Sequence, residues 1–335
     1  IKLFLFNETN FYKLVDSNVK LNDVIGLCEV KEEVQEFIDI LKNKDEYNKM
    51  NCCTPRGILF YGESGTGKTL MAKAIANEAK IKMIYTNGSS FNEKYVGVGQ
   101  ARVKELFNKA NSYEKCIIFI DEIDTLGRKR SDKGDHSEFD NTLNSLLAEM
   151  DGMNENKNIL VIGATNRMNI LDNALVRPGR LDRKIEFNLP NLDEREKVLV
   201  HYFRKHNISN DDALSFSKTI ANKTFGFSFA DMKNLCNESA IKAVTDKKDK
   251  IDISHIDKAL EYILVGNKRL SSKLMDDDKE IVCYHEIGHA LLSFIQKNTE
   301  SPSKISIIPT TKGALGFSMS PSSEKKLISK NELLQ

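Results

Sequence analysis

Two histidines one helical turn apart, His285 and His289 in "YHEIGHALLSF" (284–294), form a pattern suited to metal chemistry, with Glu286 between them. On a helix, side chains four apart share a face, which suits two ligands of a tetrahedral zinc. A carboxylate one residue after the first histidine can act as general base toward a water held there. The chain has six histidines in all, and His136, His201, His206 and His255 have no matching partners. A catalytic zinc uses three protein ligands. The position six residues after His289, where one common arrangement carries a third histidine, is Ile295. No histidine or aspartate follows His289, and the carboxylates beyond it are Glu300, Glu324 and Glu332.

A second constellation lies far upstream. "GESGTGKT" (62–69) follows the apolar run "GILFYG" (57–62) and precedes "TLMAKAIANEAK" (69–80), the strand-to-helix context that a phosphate-binding loop needs. Gly62, Gly65 and Gly67 allow backbone N–H groups to curl round phosphate oxygens. Glu63, Ser64 and Thr66 complete the loop, and Leu70 continues the helix. Lys68 would reach the terminal phosphates and the Thr69 hydroxyl would ligate Mg2+.

"IIFIDE" (117–122) delivers Asp121 and Glu122 to the carboxyl end of a buried strand, where ligands bind in such sheets. Asp121 would hold the magnesium through water, and Glu122 would deprotonate the attacking water. "NILVIGATN" (158–166) ends at Asn166, which either positions that water or serves a turn. "RPGRLDR" (177–183) offers Arg177, Arg180 and Arg183 as counter-charges for a transferring phosphoryl group, in cis or in trans, or as structural ion-pair partners. In "KYVGVGQARVKELF" (94–107), Tyr95 and Val96 precede the flexible Gly97. The aromatic is either presented to an extended polypeptide or tucked into a core.

These residues need elements to hold them. From about 21 to 190, continuous apolar runs at 57–62, 83–88, 116–122, 158–166 and 183–190 alternate with helix-length segments, predicting a buried parallel sheet flanked by helices. From 191 to 265, four segments with helical spacing predict a small all-helical domain. Residues 266–335 open a third unit with a helix over 276–297, and 1–20 reads as a leader. Apolar residues make up 40% of the chain and the net charge is +1, so nothing global points to nucleic acid. Six scattered cysteines without C-x-x-C read as reduced thiols.

"IKLFLF" (1–6) is too short to span a bilayer. "SKNELLQ" (329–335) is a capping-box start with little helix after it, which suggests a piece of a longer protein.

Taken together, the motifs resemble the FtsH-type AAA+ zinc metalloproteases, membrane-anchored ATP-dependent proteases of bacteria, mitochondria and plastids. The resemblance runs collinearly over roughly 21–320. It starts at "DVIGLCEVKEEVQE" (23–36) and passes through the phosphate loop, "YVGVG", "IIFIDEID", "NTLNSLLAEMDG" (141–152), "GATNR" and "LVRPGRLDR". It ends with "GFSFADMKNLCNESA" (226–240) and "YHEIGHA".

The resemblance implies an AAA+ P-loop domain, a helical lid and the start of a mainly helical zinc peptidase. Ile25 and Gly26 would lie near the adenine with Phe229 and Ala230, and Asn166 would be the sensor. Arg180 and Arg183 would reach a neighbouring subunit's nucleotide in a homo- or hetero-hexamer. Tyr95, Val96 and Gly97 would grip substrate in the pore. Expected cofactors are ATP/ADP, Mg2+ and Zn2+, with a third zinc ligand beyond Gln335, and a parent anchored by transmembrane helices before Ile1 in a bacterial inner membrane or an organelle. The fragment itself would be soluble.

The implied activity is ATP-driven threading and zinc-dependent cleavage of membrane or misfolded proteins; the alternative is an unfoldase with an inactive or incomplete peptidase. A nucleic-acid motor is disfavoured by the neutral charge and the zinc helix. The chain departs from the family at Glu63 and Ser64, where two prolines are usual, at Phe229, where a small residue is usual, and at Ile287. Glu63 adds negative charge beside the phosphates and is expected to lower affinity.

Overall fold

A computed structural model describes residues 11–43, 47, 49–50, 55–92, 97–127, 137–152, 158–206, 208–266, 275–296, 304–308, 316–319 and 329–330. The chain divides into two compact units, Ile1–Leu189 and Pro190–Gln335.

The first unit is α/β. In chain order it comprises β1 (Tyr12–Val15), α1 (Cys28–Lys42), β2 (Gly57–Gly62), α2 (Lys68–Ala79), β3 (Lys82–Asn87), α3 (Val98–Asn111), β4 (Lys115–Asp121), α4 (Ser137–Asp151), β5 (Asn158–Thr165) and β6 (Arg183–Phe187). The strands lie in the order β1-β3-β4-β5-β2-β6. All pair in parallel except β1, which runs antiparallel to β3.

Both faces of β4 are covered, which is why its sequence is apolar without alternation. Cys116, Ile118 and Ile120 pack with Val103, Leu106 and Phe107 of α3 and Leu143, Leu146 and Met150 of α4. Ile117 and Phe119 are equally buried on the opposite side. The expected parallel sheet is therefore present.

Residues 11–20 correct the expectation of a leader. Tyr12 pairs with Thr86 and Val15 with Met83. The Thr86 hydroxyl donates to the Phe11 carbonyl at 2.9 Å, and Asn77 Nδ2 donates to the Val19 carbonyl at 2.9 Å. Four residues, "YKLV", are too few to show a period; the edge of β3 supplies the pairing. The expected strand over 183–190 ends at Phe187, before Pro190, which has no N–H to continue a ladder.

The second unit carries α5 (Leu192–Lys205), α6 (Asn210–Lys223), α7 (Phe229–Thr245), α8 (Ile253–Val265) and α9 (Asp276–Ile295), followed by the antiparallel pair β7 (Lys304–Ser306) and β8 (Phe317–Met319). Reciprocal caps start two of the helices: Asn191 with Glu194, and Ser228 with Asp231. Buried Arg195 donates from Nε to the Ala221 carbonyl at 3.0 Å and from Nη1 to the Pro190 carbonyl at 3.1 Å, tying α5 to the end of α6.

Lys304 of β7 pairs with Glu261 of α8 at 2.7 Å. Among the described residues no helix is long and apolar enough to cross a membrane. Residues 1–6 and, apart from Ser329 and Lys330, the capping-box start at 329–335 lie outside the described residues.

Candidate functional site

The phosphate loop begins where β2 stops being able to carry side chains. Gly62 has φ 142°, and a Cβ there would overlap the Phe187 carbonyl of β6. Gly65 and Gly67 follow with φ of 77° and 96°, the left-handed region open to glycine. Gly67 is the N-cap of α2, so the unpaired N–H groups of that helix's first turn open at the loop.

Lys68 is buried and folds back over the loop, its Nζ donating to the carbonyls of Gly62 at 2.8 Å and Glu63 at 2.7 Å. Burial lowers its pKa, and the Asp121 charge partly opposes that. Buried Thr66 donates to the Glu63 carbonyl at 2.8 Å, whereas the side chains of Glu63, Ser64 and Leu70 are exposed. Gly26 and Leu27 turn the chain with φ of 71° and 54°, and a Cβ on Gly67 would lie 3.7 Å from Leu27 Cδ1. This brings the segment of Ile25 and Gly26 to the loop.

Asp121 and Glu122 stand at the end of β4. Asp121 Oδ2 accepts from Thr69 Oγ1 at 3.1 Å and from the Tyr85 hydroxyl at 3.5 Å, while Oδ1 accepts from the Glu122 N–H at 3.1 Å. The loop threonine and the strand carboxylate thus already face one another, a donor set that fits a hard cation such as Mg2+. Burial, followed by the Asp121 charge, raises the Tyr85 pKa.

Glu122 adopts φ 50°, a left-handed conformation rare for a side-chain-bearing residue. Strain of this kind persists only where the surroundings impose it. Two glycines leave room for the turn that follows: a Cβ on Gly88 would lie 2.5 Å from the Glu122 carbonyl, and one on Gly163 would lie 2.9 Å from Ile123 Cδ1. Asn87 Nδ2 donates to Glu122 Oε2 at 3.2 Å.

Tyr85, Asn87 and Leu27 were not among the sequence-derived candidates. Their signal was available in part: Tyr85 and Asn87 lie two apart at the end of β3 and so share a sheet face, and Asn87 is in register with Asp121.

Asn166 is exposed immediately after β5, the neighbour of β4, so it lies on the same carboxyl edge of the sheet. The arginines diverge. Arg177 and Arg183 are exposed, but Arg180 is held within its own subunit. Its Nε and Nη2 donate to Asp151 at 2.8 and 2.6 Å, and its Nη1 donates to the Ala174 carbonyl at 2.6 Å. The expectation of an outward-reaching Arg180 is thus not its state in this chain alone. Ala230, the second residue of α7, belongs to the other unit. Gly97 caps α3 with φ 82°, while Tyr95 and Val96 lie outside the described residues.

In the second unit, α9 carries the histidine pair as predicted. His285 Nε2 and His289 Nε2 converge to 3.1 Å, with the rings at 90°. Two exposed imidazoles with converging ring nitrogens fit two sites on one metal ion. Among the described residues no group of three potential ligands gathers. Glu286 is half-buried, and Gly316, leading into β8, lies over it: a Cβ there would lie 2.9 Å from Glu286 Cγ and 2.8 Å from Val282 Cγ1. Ile287 is exposed.

Known proteins match this arrangement segment by segment. Residues 58–189 match the ATPase family associated with various cellular activities (AAA), 216–258 the AAA+ lid domain and 272–335 Peptidase family M41. The chain is 45% identical over 325 residues to the ATP-dependent zinc metalloprotease FtsH of Lachnoclostridium phytofermentans, covering 96% of this chain and 56% of that protein. It is 45% identical over 326 residues to ATP-dependent zinc metalloprotease FtsH 1 of Methylacidiphilum infernorum, covering 96% and 51%. Against the ATP-dependent zinc metalloprotease FtsH of Mycoplasma genitalium the identity is 42% over 325 residues, covering 96% and 46%. The chain spans about half the length of the curated relatives it matches.

Proposed function

Since the chain belongs to the FtsH-type family of AAA+ zinc metalloproteases, we propose that it couples ATP hydrolysis to unfolding and zinc-dependent cleavage of polypeptides. The observation that carries the ATPase half is the contact of Thr69 Oγ1 with Asp121 Oδ2 at 3.1 Å, beneath a glycine loop whose lysine is already in place. We read residues 21–190, together with β1, as the ATPase domain, 191–265 as the lid and 266–335 as the N-terminal part of the peptidase.

In this reading the loop N–H groups and Lys68 bind the phosphates, and Ile25 and Gly26 line the base. Thr69 and Asp121 would hold Mg2+, which when bound supplies charge neutralisation at the phosphates. Glu122 accepts the proton of the attacking water, and Asn166 orients that water. Arg180 and Arg183 serve a neighbouring subunit's site, as a ring, hexameric by resemblance, requires; Arg180 must first leave Asp151. Tyr95, Val96 and Gly97 grip the substrate, an unfolded or membrane protein.

His285 and His289 would hold Zn2+, which when bound supplies Lewis-acid activation of a peptide carbonyl and water. Glu286 takes the proton at the nucleophilic water and returns it to the leaving amine. The third ligand is assigned to the parent protein beyond Gln335, and the anchor to membrane helices outside this sequence, in a bacterial or organellar membrane. The support for both is that the relatives are about twice as long as the matched chain.

The test uses the full-length protein. Glu122→Gln should retain ATP binding and lose turnover, and Glu286→Gln should lose casein cleavage while keeping ATPase activity. Normal hydrolysis in the first variant, or persistent cleavage in the second, refutes the corresponding assignment.

A further inference from the structure

Asn166 and Glu122, the two residues proposed to handle the attacking water, sit on adjacent strand ends, and one buried hydroxyl joins their surroundings. Thr165, the last residue of β5, is 1% exposed. Its Oγ1 donates to Asp124 Oδ1 at 2.7 Å and accepts from the Arg167 N–H at 2.9 Å. Residues 165 and 167, on either side of Asn166, are therefore fastened to each other by that hydroxyl, and through it to a carboxylate two residues after Glu122.

The turn bearing Asp124 cannot readily drift. The N–H and hydroxyl of Thr125 both donate to the Glu122 carbonyl, at 3.0 and 2.9 Å. Gly88 and Gly163 close on the turn from β3 and β5 with no room for a Cβ.

We infer that Thr165 and Asp124 form a positioning pair for ATP hydrolysis, fixing the Asn166 side chain relative to the Glu122 carboxylate. Thr165 is buried at the sheet edge, and Asp124 accepts its hydroxyl through Oδ1. The inference rests on the ATPase reading given above.

Its logic is geometric. Glu122 follows β4 and Asn166 follows β5, and backbone pairing between the two strands ends at Ile120 and Gly163. Beyond that point no ladder bond couples the strands, and the Thr165–Asp124 bond takes over the registration. A shift of about 1 Å in groups flanking a reacting water can cost on the order of a hundredfold in rate.

The experiment measures steady-state ATPase kcat and KM and nucleotide affinity for the full-length protein. Thr165→Val is isosteric and removes the donor; it should lower kcat about tenfold to a hundredfold, leaving KM and ADP affinity within about twofold. Thr165→Ser should restore kcat, since it keeps the hydroxyl. Because the pair acts through Asn166, Thr165→Val added to Asn166→Ala should lower kcat little beyond Asn166→Ala alone.

An unchanged kcat in Thr165→Val, a loss carried by KM, or multiplicative losses in the double variant each overturn the inference. Should Thr165→Val fail to bind nucleotide, Asp124→Ala carries the same criteria. Glu122→Gln, run in parallel, separates the two levels. Retained hydrolysis there removes the assignment of Glu122 as general base, on which the positioning role depends, whereas its loss together with normal Thr165→Val kinetics removes only the positioning pair.

Discussion

The guanidinium of Arg180 grips the carboxylate of Asp151 at two points, 2.8 and 2.6 Å, linking the segment before β6 to the last residue of α4. The same arginine is the one proposed to serve a neighbouring subunit, so that proposal requires it to exchange Asp151 for an intermolecular partner. Asp151 is half exposed, whereas the Arg180 side chain is 17% exposed and bonds at two points, so solvent screening leaves the pair about 1 kcal/mol to contribute.

Arg180→Ala should therefore leave thermal stability nearly unchanged and lower ATPase activity of the assembled full-length protein by about a hundredfold or more. Loss of the internal pair alone would not reduce hydrolysis, so normal activity in this variant would remove Arg180 from the proposed finger role. The Arg180 hydrogen bond holds the Asp151 carboxyl below the ordinary carboxylate value. The pair's contribution is accordingly present above that ordinary value and lost as pH falls through the lowered one. Any melting difference between wild type and Arg180→Ala should disappear in acid, and thermal scans against pH check this.

Asn87 holds the Glu122 carboxylate by one hydrogen bond. Asn87→Ala should lower kcat about tenfold with nucleotide affinity retained. Asn87→Asp should be worse, because it removes the donor and sets a second negative charge beside Glu122. Steady-state kcat of the two variants checks this, and a wild-type kcat in Asn87→Asp would show that the two side chains do not interact during turnover.

Gly316 leaves no space for a methyl group above Glu286 and Val282. In the full-length protein, Gly316→Ala should displace the Glu286 side chain and lower casein cleavage about tenfold or more, with zinc content and ATPase activity unchanged. Equal loss of bound zinc would instead indicate general disruption of α9.

Gly62 combines a φ of 142° with a carbonyl of β6 where a side chain would go. Gly62→Ala should destabilise the first unit by about 1–3 kcal/mol and abolish ATP binding, read from chemical unfolding and nucleotide titration. A folded variant that binds normally would mean that the loop can relax away from Phe187.

The two sites were legible in the sequence to different depths. Buried strands announce themselves as unbroken apolar runs, so β2, β4 and β5, and the chemistry-bearing residues Lys68, Asp121 and Asn166 at or just beyond their ends, could be found from local order alone. His285 and His289 were equally plain, because a four-residue interval on a helix is itself a spatial statement. Asn87, Tyr85 and Thr165 were not found, since each bonds a residue at least thirty-five positions away in sequence.

Sequence by itself therefore determined which chemistry could be proposed, the parallel sheet and the helical followers, because those depend on residue type and short-range period. Tertiary structure alone decided that residues 12–15 complete a sheet edge, that Arg180 turns inward to Asp151, and that the turn after Glu122 packs against two glycines. Each of these depends on the crowding of strand ends by segments remote in the chain, and no local pattern encodes which remote group will arrive there.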